Sequence, residues 1–541
     1  MLASRVHEPT LRVRSTPADP PLLVQDLLRA RGDSDAIALR SADTAMSFRL
    51  FYDASLHCAA ALRAAGVRYQ DRVAIHLPKG IEECWSVFGA CEAGGVFVPI
   101  NPTLKPAQVR HILADSGARA LITDRALHAS LAAELSTLAE PPAVLFADTL
   151  AADAHLGTAC TGSSAVDAGE PATIGEDLAA ILYTSGSTGA PKGVMVTHAN
   201  LLAGARIVSR YLRIEASDRL LGVLPLSFDY GLNQLLTTVA QGAELVPFTF
   251  RFGNELVGAL TRFSITGLAG VPTLWAILTS AAPLLRQTPP RHLRYVTNSG
   301  GAVPRGVVDK LRSMLPHTRI YLMYGLTEAF RSTYLDPDEI DRRPDSIGKA
   351  IPECEVFVIR SDGRRAAPGE VGLLVHRGPT VSRGYWGRPE DTARVLRPNP
   401  LRPADRGADL VCFSGDLARM DADGFLYFVG RNDAMIKSAG FRISPTEIEE
   451  VIMATGLFSQ VAVIGLPDAL IGQSVHAVAV RAGSDAGGPT DDDARLRALQ
   501  HCALSLPTHM VPRRLEIVDR LPVSGNGKVD YNALRADRLS S

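Results

Sequence analysis

The segment Tyr183-Thr-Ser-Gly-Ser-Thr-Gly-Ala-Pro-Lys-Gly-Val194, directly behind the apolar run Leu178-Ala-Ala-Ile-Leu182, decides the reading of this chain. Small hydroxyl residues and three glycines let a backbone approach a polyphosphate closely, and Lys192 adds a positive charge. Thr184, Ser185, Gly186, Ser187, Thr188, Gly189 and Lys192 are therefore candidate phosphate-binding residues. The segment is not a Walker loop, because Pro191 precedes the lysine and Gly193 follows it where Ser or Thr belongs. A plain Gly/Ser linker is the alternative, and twelve specific positions behind a buried strand argue against it.

Outward from this segment, apolar runs alternate with amphipathic helical patterns. PLLVQDLLRARG and FRLFYDASLHCAAALRAAG read as helices, RVAIHL, VFVPI and ALIT as short strands, and AAILYT, RLLGVLPL, AELVPF, GLAGVP, YVTNSGG and RIYLMYG each as a buried strand running into a turn. That alternation predicts βα units on largely parallel sheets. A Gly-rich β stretch follows from Glu353 to Gly378, with a turn at Ser361-Asp362-Gly363. Residues 1–20 read as a loose leader, and 151–175 and 483–494 as loops. Gly430-Arg431 marks a boundary, giving a core domain over 21–430 and a small C-terminal domain over 431–541. With 541 residues, more than one domain is expected.

Composition narrows the function. Lys plus Arg number 56 and Asp plus Glu 57, which gives no support to a nucleic-acid or membrane-surface binder. The seven cysteines (58, 84, 91, 160, 354, 412 and 502) form no CxxC pair or Cys/His cluster, which fits a reducing cytoplasm. No apolar run is long enough for a membrane span or a secretory signal.

Further motifs recur in order: Asn298-Ser-Gly-Gly-Ala302, Tyr324-Gly-Leu-Thr-Glu328, Ser414-Gly-Asp416, Gly430-Arg-Asn-Asp433 and Pro522-Val-Ser-Gly-Asn-Gly-Lys528. Together with the phosphate segment, they make the chain resemble the adenylate-forming superfamily of acyl-CoA synthetases, peptide-synthetase adenylation domains and luciferases. The resemblance runs from about residue 22 to residue 535. It implies an α/β fold with a large N-terminal domain of mixed sheets flanked by helices, a β-barrel-like subdomain, and a small mobile α+β C-terminal domain.

The resemblance also implies roles. Tyr324 stacks on adenine beside Gly300, Gly301, Ala302 and Gly325. Thr327 contacts the α-phosphate, Glu328 holds Mg²⁺, Asp416 binds the ribose hydroxyls and Arg431 lies near the ribose or phosphates. Asp433 is the hinge pivot, Lys437 and Gly440 face the thiol step, and Lys528 is the catalytic lysine. No general base is needed at the first step, since the carboxylate is already ionised near pH 7. Two anions must meet, however, so cations and oriented donors are required. ATP and Mg²⁺ are the implied cofactors, with a thiol of CoA or of a phosphopantetheine on a free-standing carrier protein as acceptor. A catalytically dead homologue is disfavoured, since Lys192, Thr327, Glu328, Asp416, Arg431 and Lys528 are all present.

The substrate pocket is expected at Phe228, Asp229, Asn233, Ser299 and Arg331. In Pro225-Leu-Ser-Phe-Asp229, Phe228 stands where many fatty and aryl acyl-CoA synthetases have histidine. The Phe-Asp pair resembles amino-acid-activating domains, whose aspartate binds the α-ammonium. A buried aspartate needs a cation. A substrate amine (an amino or β-amino acid) or Arg331 would supply it, and a free Arg331 would bind a second carboxylate or polar group instead. Tyr324 to Pro352 also resembles a bacterial branch of AMP-forming acyl-CoA ligases associated with exosortase loci. An ordinary acyl-CoA synthetase for a medium-chain or aryl acid is the competing reading.

Overall fold

The computed structural model describes residues 20–155, 172–184, 191–402, 409–432, 435–438, 441–468, 471–483, 489–525 and 527–539. The leader read over 1–20 (save its last residue), most of the loop read over 151–175 and the middle of the acidic loop lie outside the described residues. Among the described residues the strands form four sheets. One has six strands, in the order Ala143–Phe146, Ala118–Thr123, Arg72–His76, Val96–Pro99, Leu178–Thr184 and Lys192–Thr197. It is parallel except for the last pair, an antiparallel hairpin in which Thr184 faces Lys192. The two ends of the phosphate segment, Tyr183-Thr184 and Lys192-Gly193, thus lie opposite each other on paired strands. Thr197 caps the following helix, His198–Leu212, by accepting from Asn200 N while Asn200 accepts back from Thr197 N.

The second sheet has nine strands and a parallel centre: Arg319–Leu326, Tyr295–Asn298, Gly267–Gly270, Arg219–Gly222, Glu244–Pro247 and Ile37–Arg40. Most of these strands are four residues long and all are rich in buried residues, as in a parallel sheet covered on both faces. The run RLLGVLPL is a strand over Arg219–Gly222 followed by a turn at Leu224–Leu226, from which the chain enters the helix Asp229–Gln241. The barrel-like subdomain takes the form of a five-stranded antiparallel sheet over Glu355–Ile359, Val371–Arg377, Leu396–Pro398, Leu410–Met420 and Leu426–Arg431.

The last strand of that sheet ends at Arg431 and the first strand of the C-terminal sheet begins at Ile436. The C-terminal unit has its own core, built on Ile436, Ile448, Ile452, Val463, Val475, Ala498 and Leu515.

One packing detail shapes the pocket. The helix Asp229–Gln241 is pinned to the preceding turn, where Phe228 N donates to Pro225 O (3.1 Å) and Gly231 N to Phe228 O (2.8 Å). A Cβ at Gly231 would lie 2.2 Å from Pro225 O, so only glycine permits this approach. Gly231→Ala is expected to lower stability by about 1–3 kcal/mol, the usual cost of overpacking, as measured by urea denaturation. A variant as stable as wild type would refute this packing.

Candidate active site

Thr327 and Glu328 form the two-residue turn between the antiparallel strands Arg319–Leu326 and Ala329–Leu335. The segment 378–382 clamps that turn: Phe330 N donates to Thr380 O and Ser382 N to Glu328 O, both at 2.9 Å. The Glu328 carboxylate accepts from the Tyr385 hydroxyl at 2.6 Å. Lys192 Nζ lies 5.6 Å from the Tyr385 ring centroid and 2.9 Å from the Asp391 carboxylate. Tyr385 thus stands against both the turn glutamate and the lysine of the phosphate segment. Ser185, Gly186, Ser187, Thr188 and Gly189 lie outside the described residues.

On the same strand as the turn, Tyr324 donates its hydroxyl to Asp416. Asp416 is buried and faces Arg431 across an antiparallel pair, with Arg431 Nη1 at 3.7 Å. The Tyr324 ring lies against His376, centroids 6.0 Å apart and tilted by 23°. Burial pushes the His376 imidazole down to about 3, so it is neutral near pH 7 and meets the Tyr324 ring as an uncharged plate.

Asn298 sets the loop 299–302. Its amide nitrogen donates to Gly301 O at 2.9 Å, and its oxygen accepts from the Trp275 indole at 2.9 Å. Gly300 takes φ +85°, and a Cβ there would lie 2.7 Å from Lys528 Cε. The stem of Lys528 therefore rests directly on the Gly300 backbone, with Nζ 4.8 Å from the Phe228 ring centroid. The loop carrying Lys528 is docked by Asn101, which donates to Gly525 O at 2.8 Å, and by Thr273, which donates to Gly527 O at 3.0 Å. Burial lowers the Lys528 pKa below its ordinary 10.5; Asp229 works against that shift, Arg331 with it, and Glu328 against it.

Asp229 and Arg331 are both buried, and Arg331 Nη1 lies 3.8 Å from the Asp229 carboxylate. The cation beside Asp229 thus comes from within the protein. Asn233 lies one turn along the same helix, and Ser299 is buried beside Gly300. Asp433 and Gly440 lie outside the described residues; Lys437 is in the strand Ile436–Ser438. Among the described residues no group of three or more His, Cys, Asp or Glu side chains gathers as a metal cage. A single carboxylate such as Glu328 suits Mg²⁺, which completes its shell with water and phosphate oxygens.

Sequence reading missed Tyr385, Asp391, His376, Asn101 and Thr273. A signal existed for some of them: Asn101 lies two residues past Pro99, which ends a strand, Thr273 follows Pro272, which opens a helix, and Gly384-Tyr385-Trp386 is an aromatic pair behind a glycine.

A lysine from a small C-terminal unit, inserted beside a glycine loop and an acidic turn on a large α/β unit, is the architecture of an ATP-dependent, AMP-forming ligase. The chain belongs to the AMP-binding enzyme family: the model of that family, AMP-binding enzyme, matches residues 28–386, and AMP-binding enzyme C-terminal domain matches residues 447–528. It is 31% identical over 524 residues to a long-chain-fatty-acid–CoA ligase of Salmonella typhimurium, covering 91% of this chain and 90% of that one. It is 33% identical over 508 residues to a feruloyl-CoA synthase of Amycolatopsis, covering 93% and 96%. Among solved structures, ATP-bound MatB from Rhodopseudomonas palustris superposes with a TM-score of 0.82 at 27% identity, covering 95% and 98%.

Gly300→Ala is expected to displace Lys528 and lower AMP-forming turnover about 100-fold, the scale of a displaced reacting group. Limited proteolysis of the 522–529 loop gives a second readout, with faster cleavage expected. Unchanged turnover and cleavage would contradict the contact.

Proposed function

We propose that the protein activates a carboxylic acid with ATP and transfers the acyl group to CoA. In the first step a carboxylate oxygen attacks the α-phosphorus, the bond to the β-phosphate bridge breaks and pyrophosphate leaves. In the second, the CoA sulfur attacks the acyl carbon, AMP leaves and the thiol proton is lost to solvent. The observation that carries this reading is Lys528, held on Gly300 between Phe228 and the turn of Thr327 and Glu328. From there its ammonium is suited to bind both the carboxylate and an α-phosphate oxygen, offsetting the repulsion of two anions.

In this reading Thr327 donates to the α-phosphate, and the strand of Gly300, Gly301 and Ala302 and the ring of Tyr324 enclose adenine, with Gly325 behind. Asp416 and Arg431 take the ribose. Thr184, the segment Ser185 to Gly189 and Lys192 hold the β- and γ-phosphates, for which Lys192 exchanges its contact with Asp391. Glu328, oriented by Tyr385, holds Mg²⁺, which when bound neutralises phosphate charge. Residues 431–541 form a small domain that turns about Asp433 after adenylation, withdrawing Lys528 and bringing the Lys437–Gly440 segment to the thiol. The free thiols Cys58, Cys84, Cys91, Cys354, Cys412 and Cys502 suit a cytoplasmic enzyme.

Because Arg331 lies beside Asp229, Asp229 does not require a substrate amine, and the acid we favour has none. An amino or β-amino acid passed to a carrier protein is the competing case. Pyrophosphate exchange with amino acids and their des-amino analogues separates the two. Exchange that requires the amine would overturn our reading of the acid; AMP release with a phosphopantetheinylated carrier and none with CoA would overturn the acceptor.

Lys528→Ala is expected to slow pyrophosphate exchange by about 100- to 1,000-fold, the scale of a lost oxyanion donor, while sparing thioester formation from preformed acyl-adenylate. Equal loss in both half-reactions would contradict the role. The lysine acts protonated, and burial holds its pKa below 10.5. Exchange is therefore expected to fall as pH rises through a value below 10.5. Lys528→Arg, which stays charged, is expected to lose that alkaline limb; a limb that persists in this variant would assign it to another group.

A further inference from the structure

Arg331 sits at an irregularity of its strand. The register passes from Tyr324 opposite Thr333 to Leu326 opposite Ala329, so Phe330, Arg331 and Ser332 lie against the single residue Gly325. Arg331 itself takes φ +61°, a conformation disfavoured for a side chain of its size. Bulges of this kind re-aim side chains beside functional sites. Here the result is a guanidinium only 3% exposed, stacked on the Tyr230 ring at 4.2 Å and reaching Asp229 through Nη1.

That contact uses one edge of the group. Nε and Nη2, both buried, have no hydrogen-bond partner. These two nitrogens share one edge of the guanidinium and point their N–H bonds in parallel, the fork that matches the two oxygens of a carboxylate. Asn233, one helical turn past Asp229, adds a buried amide nitrogen that is also without a partner. Buried donors are almost always satisfied in folded proteins, so a cluster of unsatisfied donors marks a place where a ligand supplies acceptors. The charges agree: Arg331 and Lys528 against Asp229 leave one positive charge in the pocket.

We infer that the acid activated here is a dicarboxylic acid, whose non-reacting carboxylate is bound side-on by Arg331 Nε and Nη2. Asp229 then fixes the far edge of the guanidinium and presents the fork. This rests on the ligase reading above and names its substrate class.

The test compares straight-chain and aromatic dicarboxylic acids, each with the monocarboxylic acid of equal carbon count, in pyrophosphate exchange by the full-length wild type. Dicarboxylates are expected to exceed their partners in kcat/KM by on the order of 100-fold or more, since a site built around buried donors rejects ligands that leave them unpaired. The preference is expected to collapse in the double variant Asp229→Asn/Arg331→Met, which leaves no buried charge unopposed. Arg331→Lys, which keeps the charge but lacks the fork, is expected to restore only part of it. Wild-type preference for monocarboxylic, hydroxy or amino acids would overturn the inference and leave the ligase reading standing. Thermal melting with the same acids and a non-hydrolysable ATP analogue separates the two claims. Stabilisation by dicarboxylates in wild type but not in the double variant, without exchange by any acid, would support the fork and refute adenylation. No dicarboxylate effect in either assay would overturn the fork.

Discussion

An ammonium group buried in a protein interior is costly unless anions or oriented dipoles meet it. The contact between Lys528 and the loop at Gly300 places that cost at the junction of two units, and much of the surrounding structure serves to make it possible. The glycine removes the Cβ that would occupy the lysine's path. Asn298, fixed by Trp275, holds the glycine loop in place, while Asn101 and Thr273 bind the backbone carbonyls of Gly525 and Gly527, just ahead of the lysine. Both of those carbonyl contacts are polar, the kind of contact water can replace.

The other charges of the site obey a related constraint. Lys192 meets Asp391, Arg431 meets Asp416 and Arg331 meets Asp229, each within 4 Å. These pairs differ in what can separate them. Lys192 and Asp391 are part-exposed, so water screens their attraction and an incoming polyphosphate competes readily for the lysine. Arg331 and Asp229 are almost wholly buried, where parting them would leave an uncompensated charge. The first pair is therefore suited to exchange partners with the nucleotide, and the second to persist as part of the pocket wall.

What was legible in the sequence follows from the same physics. The phosphate segment, the glycine loop and the Tyr324–Glu328 turn could be read because close backbone approach demands small residues in a local order. The strands were legible as short apolar runs ending in turns. Tyr385 and Asp391 were not, since their roles arise from contacts with Glu328 and Lys192 far away in the chain. No local pattern encodes such a pairing. The partner of Asp229 was open for the same reason: the sequence offered Arg331 as one of two cations, and only the bulge opposite Gly325 brings it inward.

That bulge bears on how specificity is divided within the site. The same strand pair carries Tyr324, Thr327 and Glu328, which we assign to the nucleotide, and Arg331, which we assign to the acid. Had the strand continued in regular alternation, Arg331 and Glu328 would be three residues apart on opposite faces, and one of them would point away from the pocket. The irregularity lets a single hairpin address both reactants. It also ties the placement of the acid to that of the phosphate-facing turn, so that a displacement of one moves the other. Selectivity for the acid and alignment for adenylation are then properties of one rigid element, clamped by the segment 378–382, and not of two independently adjustable loops.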